Sequence, residues 1–284
     1  MKQVTFPDGS TRPALGLGTW RLGERASRRA DEVAAVRLAL ELGYRVIDTA
    51  EMYGEGGAEQ VVGQALAEAM RAGTVRRDEV FVVSKVYPHH ASRSGVPLAA
   101  DASRRRLGLD TLDLYLLHWR GEYPLSDTVA AFEALRAKGQ IGNWGVSNFD
   151  VADLEELAQV PGGQACATNQ VCYALDARGA GFDLLPWMQQ RSMPLMAYCP
   201  IGQGRLAGDP VLQALGERLG ASAAQVALAW AMHRPGVMAI PKAVREAHLR
   251  DNLAAASLVL GPDELTEIDR RFPPPHAKQP LAMV

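Results

Sequence analysis

Four residues of this chain are of the types, and stand at the places, needed to act on a carbonyl group. Asp48, Lys85 and His118 each close a short apolar run: Val46-Ile47 leads into Asp48, Val80 to Val83 into Ser84-Lys85, and Leu112 to Leu117 into His118. Tyr53 follows five residues after Asp48. Reduction of an aldehyde or ketone delivers hydride to carbon and a proton to oxygen, so it needs a general acid beside a donor that stabilises the developing oxyanion. A tyrosine can be that acid, because it holds its proton up to about pH 10 and a neighbouring ammonium stabilises its phenolate. Lys85 is the candidate ammonium, Asp48 the carboxylate that would keep a buried lysine charged, and His118 a donor to the substrate oxygen. Each has a plainer explanation when taken singly. Lys85 with Asp48 suits a buried structural pair, His118 a satisfied core histidine, and Tyr53 a rim residue. Their joint placement points to chemistry.

Stepping along the chain, apolar runs alternate with helical patterns. Strands are expected to begin near Leu15, Val46, Val80, Leu112, Ile141, Cys166, Met193 and Val237, most of them one βα unit apart. Helical stripes fall between them at Val33-Val36-Leu40, Val62-Leu66-Ala69, Leu154-Leu157 and Val226-Ala229-Trp230. Gly43 and Gly139 stand where C-terminal caps belong, and Ser222 with Gln225 has capping-box spacing. An open doubly wound sheet would alternate in the same way, but eight units favour an α/β fold of the (β/α)8 TIM-barrel class, a single domain over residues 1–284. Pro7-Asp8-Gly9 predicts a short N-terminal β-hairpin. Gly202 to Gly208 with Leu212, Leu215 and Leu219 predicts an inserted loop and an extra helix after strand 7. In such barrels chemistry gathers at the carboxyl ends of the strands, and the remaining ends are polar too: Ser147 and Asn148 after the fifth, Gln170 at the sixth, Tyr198 at the seventh, Lys242 at the eighth. Together they describe a polar rim around one pocket.

The formal net charge of −2 offers no basic face for nucleic acid or an anionic membrane. No apolar stretch approaches the roughly 20 residues that span a bilayer, and the start has no apolar signal core. Cys166, Cys172 and Cys199 are an odd number without CxxC spacing, which disfavours a disulfide framework or a thiolate zinc site and suits a reducing cytoplasm. His89 and His90 lack nearby carboxylate or thiolate spacing, so no metal is expected. The partner is a small carbonyl substrate, and a monomer is expected.

Several runs carry a resemblance to a known family: Gly16-Leu17-Gly18-Thr19-Trp20, Asp48-Thr49-Ala50-Glu51-Met52-Tyr53-Gly54, Ser84-Lys85, Leu116-Leu117-His118-Trp119, Gly145-Val146-Ser147-Asn148, Asn169-Gln170 and Ile240-Pro241-Lys242. In this order and spacing the chain resembles the aldo-keto reductase superfamily along nearly its whole length. The resemblance places the family's catalytic tetrad on Asp48, Tyr53, Lys85 and His118, the same four residues. It implies a nicotinamide dinucleotide bound across the barrel mouth without a Rossmann fold, and Gly54-Glu55-Gly56 indeed lacks the third glycine of that fingerprint. Ser147, Asn148 and Gln170 would hold the carboxamide, Tyr198 would stack on the ring, and Gly18, Thr19, Trp20, Pro200 and Ile201 would line the cofactor wall. At the adenosine end Lys242, Ala243, Arg245, His248, Asp251 and Asn252 occupy the corresponding positions. Here the chain departs from the family, which commonly has Ser at 243 and Arg at 248. The loss of a guanidinium fork weakens the preference for a 2′-phosphate, while Arg245 supplies a replacement charge. NADPH is the cofactor expected, with NADH the alternative.

The Ala-Glu-Met-Tyr-Gly run, the short loop from Trp119 to Pro124 and the brief tail after Phe272 resemble bacterial reductases of methylglyoxal and related small aldehydes. Trp20, Tyr53, Tyr87, His118 and Trp119 are the candidate substrate-binding residues. Two competing readings remain: a barrel aldolase forming a Schiff base through Lys85, and a cofactor-binding regulatory subunit with little turnover.

Overall fold

A computed structural model describes residues 2–283. The chain opens on an antiparallel hairpin, β1 (Gln3–Thr5) and β2 (Thr11–Pro13), at the position that Pro7-Asp8-Gly9 predicts. Phe6 N–H donates to the Ser10 carbonyl at 2.8 Å, and the Asp8 carboxylate accepts from Ser10 N–H at 2.8 Å. Gly9 takes the turn's positive φ of 80°, which a side chain would strain.

Backbone packing divides the described residues into two compact units. The first comprises Leu17–Asn169 with Lys242–Glu246. It runs β3 (Leu17–Gly18), α1 (Arg29–Leu42), β4 (Val46–Asp48), α2 (Gly57–Arg71), β5 (Phe81–Val86), α3 (Gly95–Leu107), β6 (Leu112–Leu117), α4 (Leu125–Ala137), β7 (Ile141–Ser147) and α5 (Val151–Gln159). Its five strands are all parallel and pair in chain order. Nearly every strand residue is buried, as expected where helices cover a parallel sheet. The expected helical stripes are the buried ones, with Val33, Val36 and Leu40 on α1 and Val62, Leu66 and Ala69 on α2. Gly43 ends α1 in the left-handed conformation at φ 104°.

Strand register explains how this unit gathers polar ends. Asp48 lies level with Val83, and Lys85, two residues on, points to the same face. Lys85 in turn lies level with Leu116, and His118 is two residues beyond that. Leu116 is level with Gly145, two residues before Ser147. The candidate positions climb one face of the sheet, two residues per step from β4 to β6.

The second unit comprises residues 2–16, Gln170–Pro241 and 247–283. It holds the hairpin and then β8 (Asn169–Cys172), α6 (Leu184–Gln189), β9 (Leu195–Tyr198), α7 (Pro210–Leu219), α8 (Ala223–Ala231), β10 (Val237–Ala239), α9 (Glu246–Ala255) and α10 (Pro262–Arg271). β8, β9 and β10 are neighbours in that order, and β9 pairs with β10 in parallel. Three strands here and five in the first unit make the eight expected. The insertion after β9 is a 3-10 turn over Gly202–Gly208 followed by α7, on which Leu212 and Leu215 are buried. Asp209 caps α7 by accepting from Val211 N–H and Leu212 N–H, and Ser222 with Gln225 forms the capping box of α8.

Some strand limits differ from the expectation. The first strand starts at Leu17 rather than Leu15, so Gly18 lies within it; Leu15 makes only an isolated bridge to Ala239. The sixth starts at Asn169 rather than Cys166, so Gln170 sits inside the strand rather than at its end. Apolar character locates a buried strand, but hydrogen bonding sets its ends, and Cys166 is buried as a loop residue.

Candidate active site

The first unit brings Asp48, Tyr53, Lys85 and His118 together. Lys85 is fully buried, and its ammonium spends all three N–H donors at once: on Asp48 Oδ2 at 2.8 Å, on the Thr49 carbonyl at 2.9 Å and on the Tyr53 hydroxyl oxygen at 3.1 Å. Burial pushes the Lys85 ammonium below the ordinary lysine range; the charge and hydrogen bond of Asp48, and then the charge of Glu59, pull it back up. A lysine with all three hydrogens engaged is held in one place. The Tyr53 oxygen accepts from it, so the phenol's own proton is the one that can be passed outward.

The His118 ring stands 5.7 Å from the Tyr53 ring, edge-on at 75°. Burial, and then the nearby Lys85 charge, push its imidazole well below the ordinary histidine range, so the ring is neutral at pH 7. Its Nδ1 is buried without a hydrogen-bond partner among the described residues. Buried polar atoms are normally paired, so an orphan ring nitrogen is unusual for a histidine held in place by packing alone.

The loop carrying Tyr53 is pinned from two sides. Gly57 at the start of α2 packs backbone to backbone on Gly23, where a Cβ would fall 2.1 Å from the Gly57 carbonyl carbon. Gly23 also has φ 73° and donates its N–H to Glu32 Oε2 at 2.8 Å. On the other side Glu51, 8% exposed, accepts from Tyr87 N–H at 2.6 Å and lies 3.1 Å from His90 Nδ1.

Tyr87 and Trp119 also gather beside His118. Trp119 lies 4.9 Å from His118 and 5.9 Å from Tyr87, ring centre to ring centre, and Tyr87 lies 4.5 Å from His89. Trp20 carries Arg21 over its face at 4.6 Å, and Thr19 bonds Asp48 through its hydroxyl to the carbonyl at 2.9 Å. His89 and His90 are 4.2 Å apart, but no group of three metal-ligating side chains occurs among the described residues. Ser147 is buried, and Asn148, at φ 61°, turns its amide Nδ2 to the His118 carbonyl at 3.1 Å and Ser147 Oγ at 3.2 Å. Asparagine is among the few residues that take this backbone conformation readily. Lys242 and Arg245 are exposed, Ala243 is buried, and Lys242 bridges to Gly18. A hydroxyl, a carboxamide and two exposed cations are the donors a nicotinamide dinucleotide would require.

The remaining candidates lie in the second unit. Gln170 is buried with its Nε2 3.9 Å from the Met196 sulfur, and Tyr198 donates its hydroxyl to the Ala282 carbonyl at 3.4 Å. Pro200 and Asn252 are buried, Ile201 is half-buried, and His248 and Asp251 are exposed on α9. Gln225 Nε2 holds the Asp251 carbonyl at 3.1 Å.

Comparison with known proteins decides the family. The model for the aldo/keto reductase family matches residues 14–271. The chain belongs to the aldo/keto reductase family. Methylglyoxal reductase YeaE of Escherichia coli is 50% identical over 100% of this chain and 99% of that protein. An aldo-keto reductase from Klebsiella pneumoniae, solved in complex with NADPH, superposes with a TM-score of 0.94 at 48% identity, covering 100% of both chains. A second structure from that organism, with NADP and acetate, gives 0.95 at 49% over 100% of this chain and 99% of that one. This aldo/keto reductase is therefore an oxidoreductase with the (β/α)8 fold expected of its sequence.

Sequence reasoning missed two charged residues of the reductase, Glu59 and Arg106. Glu59 on α2 is fully buried and accepts from Ser84 Oγ and Arg106 Nε, both at 2.5 Å. A signal was present: Glu59 lies three and seven residues before Val62 and Leu66, on the buried stripe itself, where a carboxylate requires a buried partner.

Proposed function

We propose that this enzyme reduces small aldehydes and ketones, methylglyoxal among them, to alcohols with NADPH, Tyr53 being the proton donor. The observation that carries the reading is the Lys85 ammonium, bonded at once to Asp48, the Thr49 carbonyl and the Tyr53 oxygen. The bound nicotinamide supplies hydride to the carbonyl carbon. Tyr53 gives its proton to the carbonyl oxygen, and Lys85, 3.1 Å away, stabilises the phenolate left behind. Asp48 compensates the ammonium, and the neutral His118 ring orients the substrate oxygen. Ser147 and Asn148 would hold the carboxamide headgroup, and Lys242 and Arg245 the phosphates. We extend the same cofactor role to Gln170, Tyr198, Pro200, Ile201, His248, Asp251 and Asn252 by the family's pattern, and the substrate role to Trp20, Tyr87 and Trp119.

Support for this reading comes from the relatives named methylglyoxal reductase and solved with NADPH. Schiff-base chemistry at Lys85 is disfavoured because a nucleophilic amine must be neutral and reachable, whereas this one is fully buried and hydrogen-bonded to a carboxylate. The test follows NADPH absorbance against methylglyoxal, glyoxal and aromatic aldehydes with wild type and Tyr53→Phe. Turnover lost in the variant with NADPH affinity kept within about threefold is expected, since only the donor is removed. Near wild-type turnover by Tyr53→Phe refutes the role of Tyr53. Tight NADPH binding without turnover of any aldehyde by wild type would favour a regulatory subunit instead.

A further inference from the structure

Behind the Lys85 cluster the first unit buries a second set of charges that the proton transfer does not use. The two carboxylate oxygens of Glu59 are divided, Oε1 accepting from Ser84 Oγ and Oε2 from Arg106 Nε. Ser84 precedes Lys85 on β5. Arg106, on α3, lies over Gly56, where a Cβ would stand 2.6 Å from its Cδ and Nε, and brings its Nη2 to 4.0 Å from Glu51 Oε2. Glu51 in turn belongs to the loop that carries Tyr53. A single buried carboxylate thus connects the strand of the ammonium with the loop of the phenol.

A purely structural pair would be a poor use of this position, because well-packed apolar residues of similar volume are often at least as stabilising as a buried ion pair. The charged and titratable groups around Lys85 are Asp48 from β4, Glu59 from α2, Tyr53 and Glu51 from the loop, Tyr115 from β6 and His118 just after it, and Arg106 from α3. Among these only Asp48 and Glu59 add negative charge felt by Lys85. We infer, on the basis of the proposed reduction, that Glu59 is a positioning residue for it, holding β5 through Ser84 and the Tyr53 loop through Arg106 and Glu51, and giving the buried ammonium a second counter-charge.

Glu59→Gln keeps the shape and an acceptor for Ser84 and removes the charge. Losing a nearby negative charge disfavours the ammonium and favours the phenolate, and both effects move the basic limb of the kcat/KM profile for reduction to lower pH, by about half a unit or more. The NADPH dissociation constant should stay within about twofold, because Glu59 bonds Ser84 and Arg106, neither of which is assigned to the cofactor. Ser84→Ala, which removes a hydrogen bond and no charge, should leave the limb in place. If Glu59→Gln fails to fold, Glu59→Gln/Arg106→Met removes both charges together and should move the limb in the same direction but less far, because the lost Arg106 charge opposes that of Glu59. A second readout needs no turnover: in cofactor-free protein with 15N-labelled lysine, the Lys85 ammonium should titrate at lower pH in Glu59→Gln than in wild type. An unmoved Lys85 titration, or an equal shift in Ser84→Ala, overturns the inference. Wild-type inactivity toward every aldehyde overturns the proposed reduction instead, while the lysine titration still decides whether Glu59 acts on Lys85.

Discussion

Replacing Lys85 by Met separates the chemistry of the site from its stability. The side chain is fully buried and its partner Asp48 is 3% exposed, so the variant strands a carboxylate in the interior. Breaking such a pair on one side costs about 3–5 kcal/mol, a fall in Tm of roughly 6–15 °C for a chain of this size. The double variant Asp48→Asn/Lys85→Met removes both charges and should recover much of that loss. Activity should not recover. An ammonium 3.1 Å from a phenolate oxygen contributes about 5 kcal/mol at an effective dielectric constant near 20. With the phenolate partly formed in the transition state, kcat/KM should fall by roughly two to four orders of magnitude in both variants. The assay pairs thermal denaturation with NADPH-linked reduction of methylglyoxal. Turnover by Lys85→Met within tenfold of wild type would refute the role given to the ammonium. A double variant no more stable than the single would refute the pairing energetics.

His118 is held neutral by burial, so the folded state binds its proton less readily than the unfolded chain at about pH 6.5; stability is full above that pH and falls as pH drops, by up to about 1.4 kcal/mol per unit. His118→Asn should flatten that acid loss, and urea midpoints at pH 7.5 and 5.5 that fall equally in both proteins would count against it. Burial pushes the Cys166 and Cys172 thiols up to about 12, and the Cys199 thiol is raised too. In native protein at pH 8 a thiol reagent should therefore modify Cys166 and Cys172 about a thousandfold more slowly than in urea; comparable rates would contradict their burial. On the proposed cofactor placement, His248→Arg introduces a guanidinium near the 2′-phosphate and should widen the NADPH over NADH ratio of kcat/KM by roughly tenfold. An unchanged ratio would show that His248 does not face the 2′-phosphate. Gly23→Ala forces a Cβ into the Gly57 backbone and adds strain at a positive φ. It should lower kcat by shifting the Tyr53 loop, and full activity would show that the loop tolerates the displacement.

Asp48, Lys85 and His118 were legible because each is a polar residue ending or closely following an apolar run, and strand ends are where a buried sheet exposes side chains to chemistry. Tyr53 was legible only through its company, since nothing about a tyrosine in a glycine-rich loop reveals which way its hydroxyl points. Gln170 was found as a site candidate but misplaced at the end of its strand, because hydropathy fades gradually where hydrogen bonding stops sharply. Glu59 and Arg106 escaped notice because both sit inside helices, where charged residues ordinarily face solvent. Only the phase of Glu59 relative to Val62 and Leu66 betrayed it.

The two-residue step between neighbouring strands explains why these residue types can cooperate at all. Strand side chains alternate between faces, so a shift of one residue in β5 would turn Lys85 toward the helices and bring Ser84 to the site. The observed register puts Lys85 on the Asp48 face and leaves Ser84 to meet Glu59 behind the sheet. One strand thereby serves two charge clusters on opposite faces: Lys85 with Asp48 and Tyr53 on one, Ser84 with Glu59 and Arg106 on the other.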